Sequence, residues 1–330
     1  MKKYSVVTGG AGFIGSHMVD FLIKQNYHVI VVDNFSSGKI VNIKKNIELK
    51  KVFLIKKDII NLKDSDIKKI TNKIDFIFHF AGAGSIVPSI TNPKKYIQIN
   101  VLGTLNVLES TKNFKYKKFI YAASSSCYGM AKTPTNESHK ISTIYPYSLS
   151  KFMGEQLCIH WNKVYKLPIC SIRIFNAYGN RISFDGGYGA MFPVFMKQVL
   201  NNKPLTIVGD GKQKRDFIHV TDLVKAFYSV AKSRRHGEIY NVGTGKPTSV
   251  IEIAKILSKK IGFIPKRPGE PDITHANINK IKKHTSWRPR ITMDIGIKDM
   301  IKNINNWKNA PTWNTAKIAF ATKKWFEYLK

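Results

Sequence analysis

A glycine-rich segment near the N-terminus limits what this chain can fold into more than any other feature. The segment, Gly9-Gly10-Ala11-Gly12-Phe13-Ile14-Gly15, follows the β-type run 4–8 and opens a stretch with helical spacing. Glycines let a backbone approach a pyrophosphate closely, and the N-terminus of the helix supplies free N–H groups with positive partial charge. This context predicts a dinucleotide site at the first strand–helix junction.

Asp33 adds to that prediction because it closes the second β-type run, residues 28–32. A carboxylate at this place accepts hydrogen bonds from a ribose diol and repels a 2′-phosphate. The sequence therefore favours NAD over NADP. The alternative is a tight turn with a purely structural aspartate.

β-type runs alternate with stretches long enough for helices through the first half of the chain. The further runs are 52–55, 74–80, 118–122 and 169–174, and segment 94–113 has helical spacing. Near-continuous apolar strands that alternate with helices indicate a parallel sheet covered on both faces. The length of 330 residues suggests two domains or one large α/β unit. After about residue 176 the alternation loosens, which predicts a smaller and less regular domain.

The chain is strongly basic, with a formal net charge of +33. Only eight of the 54 basic residues are arginine, and the lysines are spread along the chain instead of forming one stripe or arm. This distribution favours compositional drift over a nucleic-acid or membrane role. The excess charge should still attract anionic small molecules.

Cysteine usage and hydropathy predict a cytoplasmic protein. Three cysteines, Cys127, Cys158 and Cys170, are odd in number and lack metal-ligand spacing, as expected of reduced thiols. No apolar run is long enough to span a membrane, and the N-terminal segment has no signal-peptide pattern. Residues 308–330 carry apolar side chains at helical spacing. They predict a helix docked on its own domain or on a partner subunit, with a membrane-surface helix as the alternative.

Tyr147 and Lys151 form a Y-x-x-x-K pair, a spacing that also occurs by chance at Tyr128/Lys132 and Tyr228/Lys232. Context selects the first pair. Pro146 suits the first turn of a helix, and residues four apart share a helix face. Leu149, Met153, Leu157 and Val164 are predicted to give this helix its apolar face. The alternative places both residues on the surface of a packed helix.

The pair lies shortly after Ala122-Ala123-Ser124-Ser125-Ser126, whose hydroxyls end a predicted strand where open α/β sheets place their ligands. A nearby ammonium and a nicotinamide cation both favour a phenolate, so they should lower the high pKa of a tyrosine. Tyr147 could then take a proton from a substrate hydroxyl while a serine hydroxyl holds the developing alkoxide.

With these motifs the chain resembles an extended short-chain dehydrogenase/reductase of the nucleotide-sugar epimerase and dehydratase group. The resemblance extends from the glycine segment to Trp287-Arg288-Pro289, about nine-tenths of the chain. Its other matching segments are Asp33-Asn34-Phe35-Ser36-Ser37-Gly38, Asp58-Ile59, His79-Phe80-Ala81-Gly82, Asn100, Gly103-Thr104, Tyr128-Gly129, Arg173-Ile174-Phe175-Asn176-Ala177-Tyr178-Gly179 and Arg215-Asp216-Phe217.

The resemblance implies a Rossmann-type doubly wound parallel sheet with a smaller mixed α/β substrate domain. The NAD-binding domain would comprise 1–175 and about 216–243, and the nucleotide-sugar domain 176–215 and 244–330. The cofactor residues it implies are Gly9, Gly12, Phe13, Ile14, Asp33, Asn34, Gly38, Asp58, Ile59, Phe80, Ala81, Gly82, Asn100, Tyr147, Lys151 and Phe175. Of these, Asp58 and Ile59 match adenine contacts.

The resemblance also assigns Ser124, Tyr147 and Lys151 to catalysis. The substrate residues it implies are Ser85, Ser124, Ser125, Asn176, Arg215, Arg267 and Glu270. Asn176 and the two arginines match groups that hold a nucleotide diphosphate, and Glu270 matches an acidic residue on the nucleotide ribose. Arginine suits a diphosphate because its planar fork binds phosphate oxygens bidentately.

Ser125 stands where dehydratases and some decarboxylases of the group carry an acidic residue, which favours 4-epimerisation of a UDP-hexose with NAD regenerated in each cycle. Two positions near the substrate depart from or vary within the family. Gly84 stands where some UDP-galactose epimerases carry lysine. Thr274 falls near a position that limits bulk around the sugar, and a small residue there leaves room for an N-acetyl group.

The family also implies a homodimer through helices like 94–113 and 147–165. The nearest rival is another reaction of the same fold, namely a reductase, a 4,6-dehydratase or a decarboxylase. A non-catalytic NAD-binding regulator is a rival of a different class, although such relatives usually lose the Tyr/Lys pair. A nucleic-acid-binding protein is suggested only by the net charge, so no specific nucleic-acid partner is predicted.

Overall fold

A computed structural model describes residues 2–184 and 190–329 of the chain. Its strands are β1 (Lys3–Thr8), β2 (Tyr27–Asp33), β3 (Val52–Lys56), β4 (Phe76–His79), β5 (Lys118–Ser124), β6 (Ile169–Ile174), β7 (Asn176–Tyr178), β8 (Leu205–Val208), β9 (Lys214–Arg215), β10 (Phe217–His219), β11 (Ile239–Val242), β12 (Thr248–Ser249) and β13 (Ile261–Ile264). Seven of them form one parallel sheet in the order β11-β6-β5-β4-β1-β2-β3. The predicted parallel sheet is confirmed.

The helices of the described residues lie between and after these strands. They are α1 (Phe13–Lys24), α2 (Lys44–Glu48), α3 (Asp64–Lys68), α4 (Val87–Thr91), α5 (Pro93–Ile97), α6 (Gly103–Thr111), α7 (Pro146–Tyr165), α8 (Met191–Leu200), α9 (Val220–Lys232), α10 (Val250–Leu257), α11 (Asn279–His284), α12 (Met293–Lys302) and α13 (Thr315–Tyr328). Short 3-10 turns cover Ile40–Asn42, Ile59–Asn61, Ser125–Tyr128 and Ile304–Trp307.

Both faces of the sheet are buried. Successive residues of each strand point to opposite sides, so neighbouring residues enter different cores. Val7 and Val31 face one core, which α1 and α9 cover. Val6 and Ile30 face the other core, which α6 and part of α7 cover. This two-sided burial explains why the strands are apolar almost throughout.

Segment 94–113 differs from the single helical stretch that its spacing predicts. Between α5 and α6 the backbone widens into a π-helical turn, Gln98–Leu102, which contains Asn100. Such turns are frequent at functional sites, and here the turn carries a predicted cofactor residue.

The predicted apolar face of α7 only partly faces the core of its own chain, because Leu157 packs against that core while the other three predicted residues do not. Leu149, Met153 and Val164 are exposed, whereas the buried side of the helix carries small or polar residues such as Ser150 and Lys151. Close packing explains this arrangement, because a Cβ on Gly154 would lie 2.7 Å from the carbonyl oxygen of Asn100. At Gly154 the helix approaches its neighbours too closely for any side chain.

Two smaller cores lie in the region after β6, which also holds three two-stranded pairs, β7 with β10, β8 with β13 and β9 with β12. Residues 185–189, inside the predicted nucleotide-sugar domain, lie outside the described residues, and the proposed domain boundaries stay a prediction. Helix α13 docks on its own chain, as expected for the C-terminal stretch, with Ile318 and Trp325 buried. Among the helices of residues 2–184 and 190–329, none is long and apolar enough to cross a bilayer.

Candidate active site at the carboxyl edge of the sheet

Most of the predicted cofactor residues stand where a strand of the central sheet ends. Gly9 follows β1, Asp33 ends β2, Asp58 follows β3, Phe80 follows β4 and Phe175 follows β6. Ser124 likewise ends β5. Parallel strands bring their carboxyl ends to one edge, so residues far apart in the chain meet there.

The glycine loop forms the tight turn that its sequence predicts. Gly9 has a φ of +66°, and a Cβ built there would lie 2.7 Å from the amide nitrogen of Ala81. The Gly12 N–H donates to the Gly9 carbonyl at 3.1 Å, and Phe13 and Ile14 then open α1. A Cβ on Gly15 would collide with the same Gly9 carbonyl. The absence of side chains in the loop therefore leaves space for a pyrophosphate to approach the backbone closely.

Asp33 holds this loop in place. Its carboxylate accepts N–H hydrogen bonds from Ala11 at 2.9 Å and from Phe35 at 2.8 Å. Gly38 packs against the same carboxylate, because a Cβ there would lie 2.8 Å from Oδ1. Burial raises the pKa of Asp33, and the two N–H donors oppose that effect. Asp33 thus holds the turn, as in the alternative of a structural aspartate. Its oxygens also have further lone pairs that can accept hydrogen bonds from a ribose diol.

Asn34 and Asp58 meet beside Asp33, where β2 and β3 end. The Asn34 amide donates to Oδ2 of Asp58 at 2.7 Å, and Oδ1 of Asp58 accepts the Ile60 N–H at 3.0 Å. Ile59 lies buried beneath this pair against Gly103 of α6. The predicted adenine contacts are therefore held in place, Asp58 by hydrogen bonds and Ile59 by packing against α6.

The segment Phe80-Ala81-Gly82 leads from β4 over the edge of the sheet. Asn100 fixes the backbone just after this segment, since its Oδ1 accepts the Ala83 N–H at 2.8 Å and its Nδ2 donates to Ser150 Oγ at 2.9 Å. A Cβ on Gly82 would lie 2.9 Å from Asn100 Oδ1 and 3.7 Å from Lys151 Nζ. The Asn100 amide thus bonds to the protein itself, and it ties the loop after β4 to the helix of Tyr147 and Lys151.

A side-chain hydrogen bond joins Ser124 and Tyr147, and Lys151 follows Tyr147 by one turn of α7. Burial raises the pKa of Tyr147, while a hydrogen bond with the Ser124 side chain lowers it. Burial lowers the pKa of Lys151 to about 8. Ser124 Oγ also lies 2.8 Å from Ser126 Oγ, and Ser125 opens the 3-10 turn at this end of β5. The surface-helix alternative for the pair is wrong, since Lys151 is buried.

The predicted diphosphate ligands form an ion-pair cluster of their own. Glu270 lies 2.7 Å from the Arg267 guanidinium and 3.9 Å from that of Arg215. Burial lowers the pKa of Arg215. A cavity of about 310 Å³ lies beside the cluster, and its lining includes Gly209, Gln213, Arg215 and Glu270.

Asn176 is held by a partner 98 residues away in the chain, and Ser85 by one 11 residues away. Thr274 donates its hydroxyl to Asn176 Oδ1 at 3.2 Å and accepts the Asp216 N–H at 3.2 Å. The Ser85 carbonyl accepts the hydroxyl of Tyr96 at 2.5 Å.

Tyr96 and His79 contribute to the site, although sequence reasoning assigned neither of them a role. The rings of Tyr96 and Tyr147 meet edge to face with their centroids 6.3 Å apart. His79 is buried between Thr8 Oγ1, at 2.6 Å, and Thr104 Oγ1, at 3.0 Å. For Tyr96 a signal existed, because it precedes Asn100 by one helical turn and shares its face.

Comparisons with known proteins identify the family and the fold of this chain. Residues 5–243 match the NAD dependent epimerase/dehydratase family. A putative UDP-glucose 4-epimerase of Methanocaldococcus jannaschii is 37% identical over 313 residues, which are 92% of this chain and 97% of that relative.

Two solved structures share the fold. The UDP-glucuronic acid 4-epimerase of Bacillus cereus, in complex with UDP-glucuronic acid and NAD, superposes with a TM-score of 0.85 at 31% identity, covering 92% of this chain and 99% of that one. The UDP-N-acetylglucosamine 4-epimerase of Methanobrevibacter ruminantium M1, in complex with UDP-N-acetylmuramic acid, gives 0.84 at 32% identity, covering 92% and 100%. The predicted Rossmann-type fold is confirmed, and the chain belongs to the NAD-dependent epimerase/dehydratase family, with NAD as its cofactor.

Proposed function

We propose that this protein inverts the configuration at C4 of a UDP-hexose. The proposal rests on the hydrogen bond between Ser124 and Tyr147 and on the position of Lys151 Nζ next to Gly82, in a chain similar to UDP-sugar 4-epimerases over most of its length. Ser125 supports epimerisation over dehydration or decarboxylation, because the residue directly after Ser124 is a serine and carries no carboxylate. The enzyme is an isomerase, and its cytoplasmic location stays a prediction.

Tyr147 is the base of the proposed reaction. Its buried hydroxyl has a raised pKa without substrate, so the phenolate must be favoured by neighbouring positive charge. We propose that the Lys151 ammonium and the nicotinamide cation of bound NAD would together supply that charge, and that NAD would also supply the hydride acceptor. The phenolate then takes the proton of the substrate 4-hydroxyl and gives it back when the inverted alcohol forms.

Ser124 and Asn100 complete the arrangement in different ways. Ser124 forms a hydrogen bond with the Tyr147 hydroxyl. When Tyr147 takes the substrate proton, the Ser124 hydroxyl can therefore donate a hydrogen bond to the substrate oxygen. Asn100 holds Ala83 and Ser150 at once, and Ser150 Oγ donates to the Tyr147 carbonyl at 2.8 Å. This chain of bonds sets the distance between the cofactor segment and the base.

Arg215 and Arg267 are proposed to hold the substrate diphosphate. Two guanidinium groups with one carboxylate between them keep a net positive charge, and the lining of the adjoining cavity adds three lysines against two aspartates, namely Lys212, Lys214, Lys266, Asp210 and Asp272. Such a cleft concentrates field lines and attracts an anionic nucleotide. Glu270 is proposed to accept a hydroxyl of the nucleotide ribose.

The exposed apolar face of α7 supports the proposal of a homodimer. Leu149, Met153, Val164 and Tyr165 are 38–52% exposed on one helix, and Leu149 and Met153 lie one turn apart on the same face, where exposed apolar side chains can form an interface. A dimer mass by light scattering at micromolar concentration is expected. Met153→Glu should shift that mass toward the monomer, whereas a monomeric wild type would contradict the proposal.

Proton NMR of the purified protein with UDP-GalNAc, without added NAD, tests the reaction through the H4 and anomeric signals. Conversion to UDP-GlcNAc is expected, and Tyr147→Phe should abolish it. Tyr228→Phe is the matched control, since it removes one hydroxyl from a pair of the same spacing on α9, and it should keep the activity.

The products separate the alternatives. Turnover of UDP-galactose alone would support 4-epimerisation but contradict a sugar pocket with room for an N-acetyl group. A 4-keto, 6-deoxy or pentose product would indicate a dehydratase or a decarboxylase. If neither sugar changes even with NAD supplied, 4-epimerisation of these sugars is wrong.

A further inference from the structure

Helix α13 connects two parts of the molecule that the proposed reaction must hold together. It begins after Asn314, whose Oδ1 accepts the Lys317 N–H at 2.9 Å. Near this end Ile318 is buried in a core with Phe195 and Ile207. Near the other end Trp325 is buried, and the helix lies against α4, the first helix after Ser85.

Trp325 makes two contacts, and each reaches a different part of the site. Its indole Nε1–H donates to the Pro268 carbonyl oxygen at 2.8 Å. Its ring packs on the Tyr145 ring with the centroids 5.5 Å apart. Pro268 lies in the 267–270 loop (Arg267, Pro268, Gly269 and Glu270), and Tyr145 is the residue just before α7.

The 267–270 loop needs such a support. Gly269 has a φ of +71°, and a Cβ there would touch only the Ile144 side chain, at 3.7 Å. A loop that must present both an arginine and a carboxylate to a ligand carries an ordering cost when the ligand binds. A buried indole N–H that finds a partner fixes the loop before the ligand arrives.

We propose that Trp325 is a positioning residue for the nucleotide half of the substrate. Because it holds the Pro268 carbonyl and the start of α7 together, it keeps Arg267 and Glu270 at a set distance from Tyr147. The inference rests on the proposed function, since it takes the 267–270 loop as the diphosphate and ribose site.

The kinetics of Trp325→Phe test this role. Phenylalanine keeps an aromatic ring beside Tyr145, but it removes the donor to Pro268 together with the second ring of the indole. The nucleotide contacts act alike on bound substrate and transition state, so KM is expected to rise about fivefold to fiftyfold with kcat unchanged. The dissociation constant of UDP, measured by calorimetry on the NAD-containing enzyme, should rise by the same factor.

Three further variants make the test specific. Phe320→Ala removes an aromatic ring that is 85% exposed on the same helix, and it should change nothing. Ile318→Val loosens the far end of α13, and it should lower stability without raising KM. Arg267→Ala should weaken UDP binding if the 267–270 loop holds the nucleotide.

The outcomes distinguish the two proposals. If Arg267→Ala binds UDP like the wild type, the nucleotide site itself is misplaced. If Arg267→Ala weakens UDP binding but Trp325→Phe leaves KM and UDP binding unchanged, or lowers only kcat, the role of Trp325 is wrong. Amide exchange of the wild type covers the case of a variant that does not fold. UDP should slow exchange in the 267–270 loop and around Trp325 together, and slowing in the loop alone would overturn the inference.

Discussion

The Lys151 ammonium nitrogen lies 4.4 Å from the centre of the Tyr121 ring. The Tyr121 hydroxyl donates in turn to the Lys151 backbone carbonyl at 3.3 Å. An aromatic face attracts a cation that has lost its water, so Tyr121 stabilises the charge that the base needs. Burial nevertheless wins over this attraction, since the pKa of Lys151 falls to about 8.

Replacing Lys151 is therefore expected to separate activity from stability. The unfolded chain keeps the lysine protonated up to about pH 10.4, whereas the folded protein releases that proton near pH 8. Below pH 8 the buried ammonium lowers the free energy of unfolding, and this penalty fades as the pH rises toward 10.4. Lys151→Met should be inactive yet more stable than the wild type by roughly 1–3 kcal/mol at pH 7. Urea unfolding of nucleotide-free protein at pH 7 and pH 10 measures the difference, which should shrink at the higher pH.

Lys163→Met on the same helix is the control for this measurement, because Lys163 is exposed. It should change neither activity nor the pH dependence. A Lys151→Met protein that is less stable than the wild type at pH 7 would mean that Tyr121 compensates the burial in full.

His79 predicts a loss of stability in acid. Burial lowers its pKa to about 3, and an unfolded histidine titrates near pH 6.5. As the pH falls below 6.5, this histidine binds a proton in the unfolded chain but not in the folded protein. The free energy of unfolding therefore drops by up to about 1.4 kcal/mol per pH unit through this residue. His79→Gln should show a shallower decline between pH 6.5 and pH 4.5 in urea titrations. The exposed His160 provides the control, and an unchanged slope in His79→Gln would refute the assignment.

Asp33 is expected to link cofactor binding to the conformation of the glycine loop. Asp33→Asn keeps one acceptor but turns an NH₂ group toward a backbone N–H, so it leaves a buried donor without a partner. The free energy of unfolding should fall by about 1–3 kcal/mol. NAD, which the wild type is expected to retain through purification, should be lost from the variant. Absorbance of the purified protein and calorimetry with NAD check this, with the exposed Asp294→Asn as control. Full NAD content in Asp33→Asn would assign Asp33 to structure alone.

Thr274 is expected to set the room at the sugar C2 substituent. Thr274→Tyr adds bulk next to Asn176, so turnover of the N-acetylated UDP-sugar should fall at least tenfold while turnover of UDP-galactose remains. Thr274→Ser keeps the hydroxyl that donates to Asn176, and it should retain both activities. Equal turnover of both sugars by Thr274→Tyr would sink the idea that this position limits the pocket.

The parts of the site that could be predicted are local in the chain. The glycine loop depends on backbone conformations and hydrogen bonds within a few residues, so its sequence carries its geometry. The Tyr147/Lys151 pair depends only on the helical repeat, and the ends of parallel strands necessarily share one edge. The Asp33 carboxylate could be placed beside the loop on the same grounds, although its two backbone partners could not.

The remaining features depend on segments that meet only after folding. No spacing predicts that the Asn100 amide bonds to Ala83 and Ser150, or that the apolar residues of α7 turn outward because Gly154 packs so closely. The contact of Trp325 with Pro268 joins the end of the chain to a loop far before it. Short-range hydrogen bonding and helical periodicity thus determined the cofactor loop and the catalytic pair, whereas the packing of distant elements, which no local pattern encodes, decided how those groups are held in place.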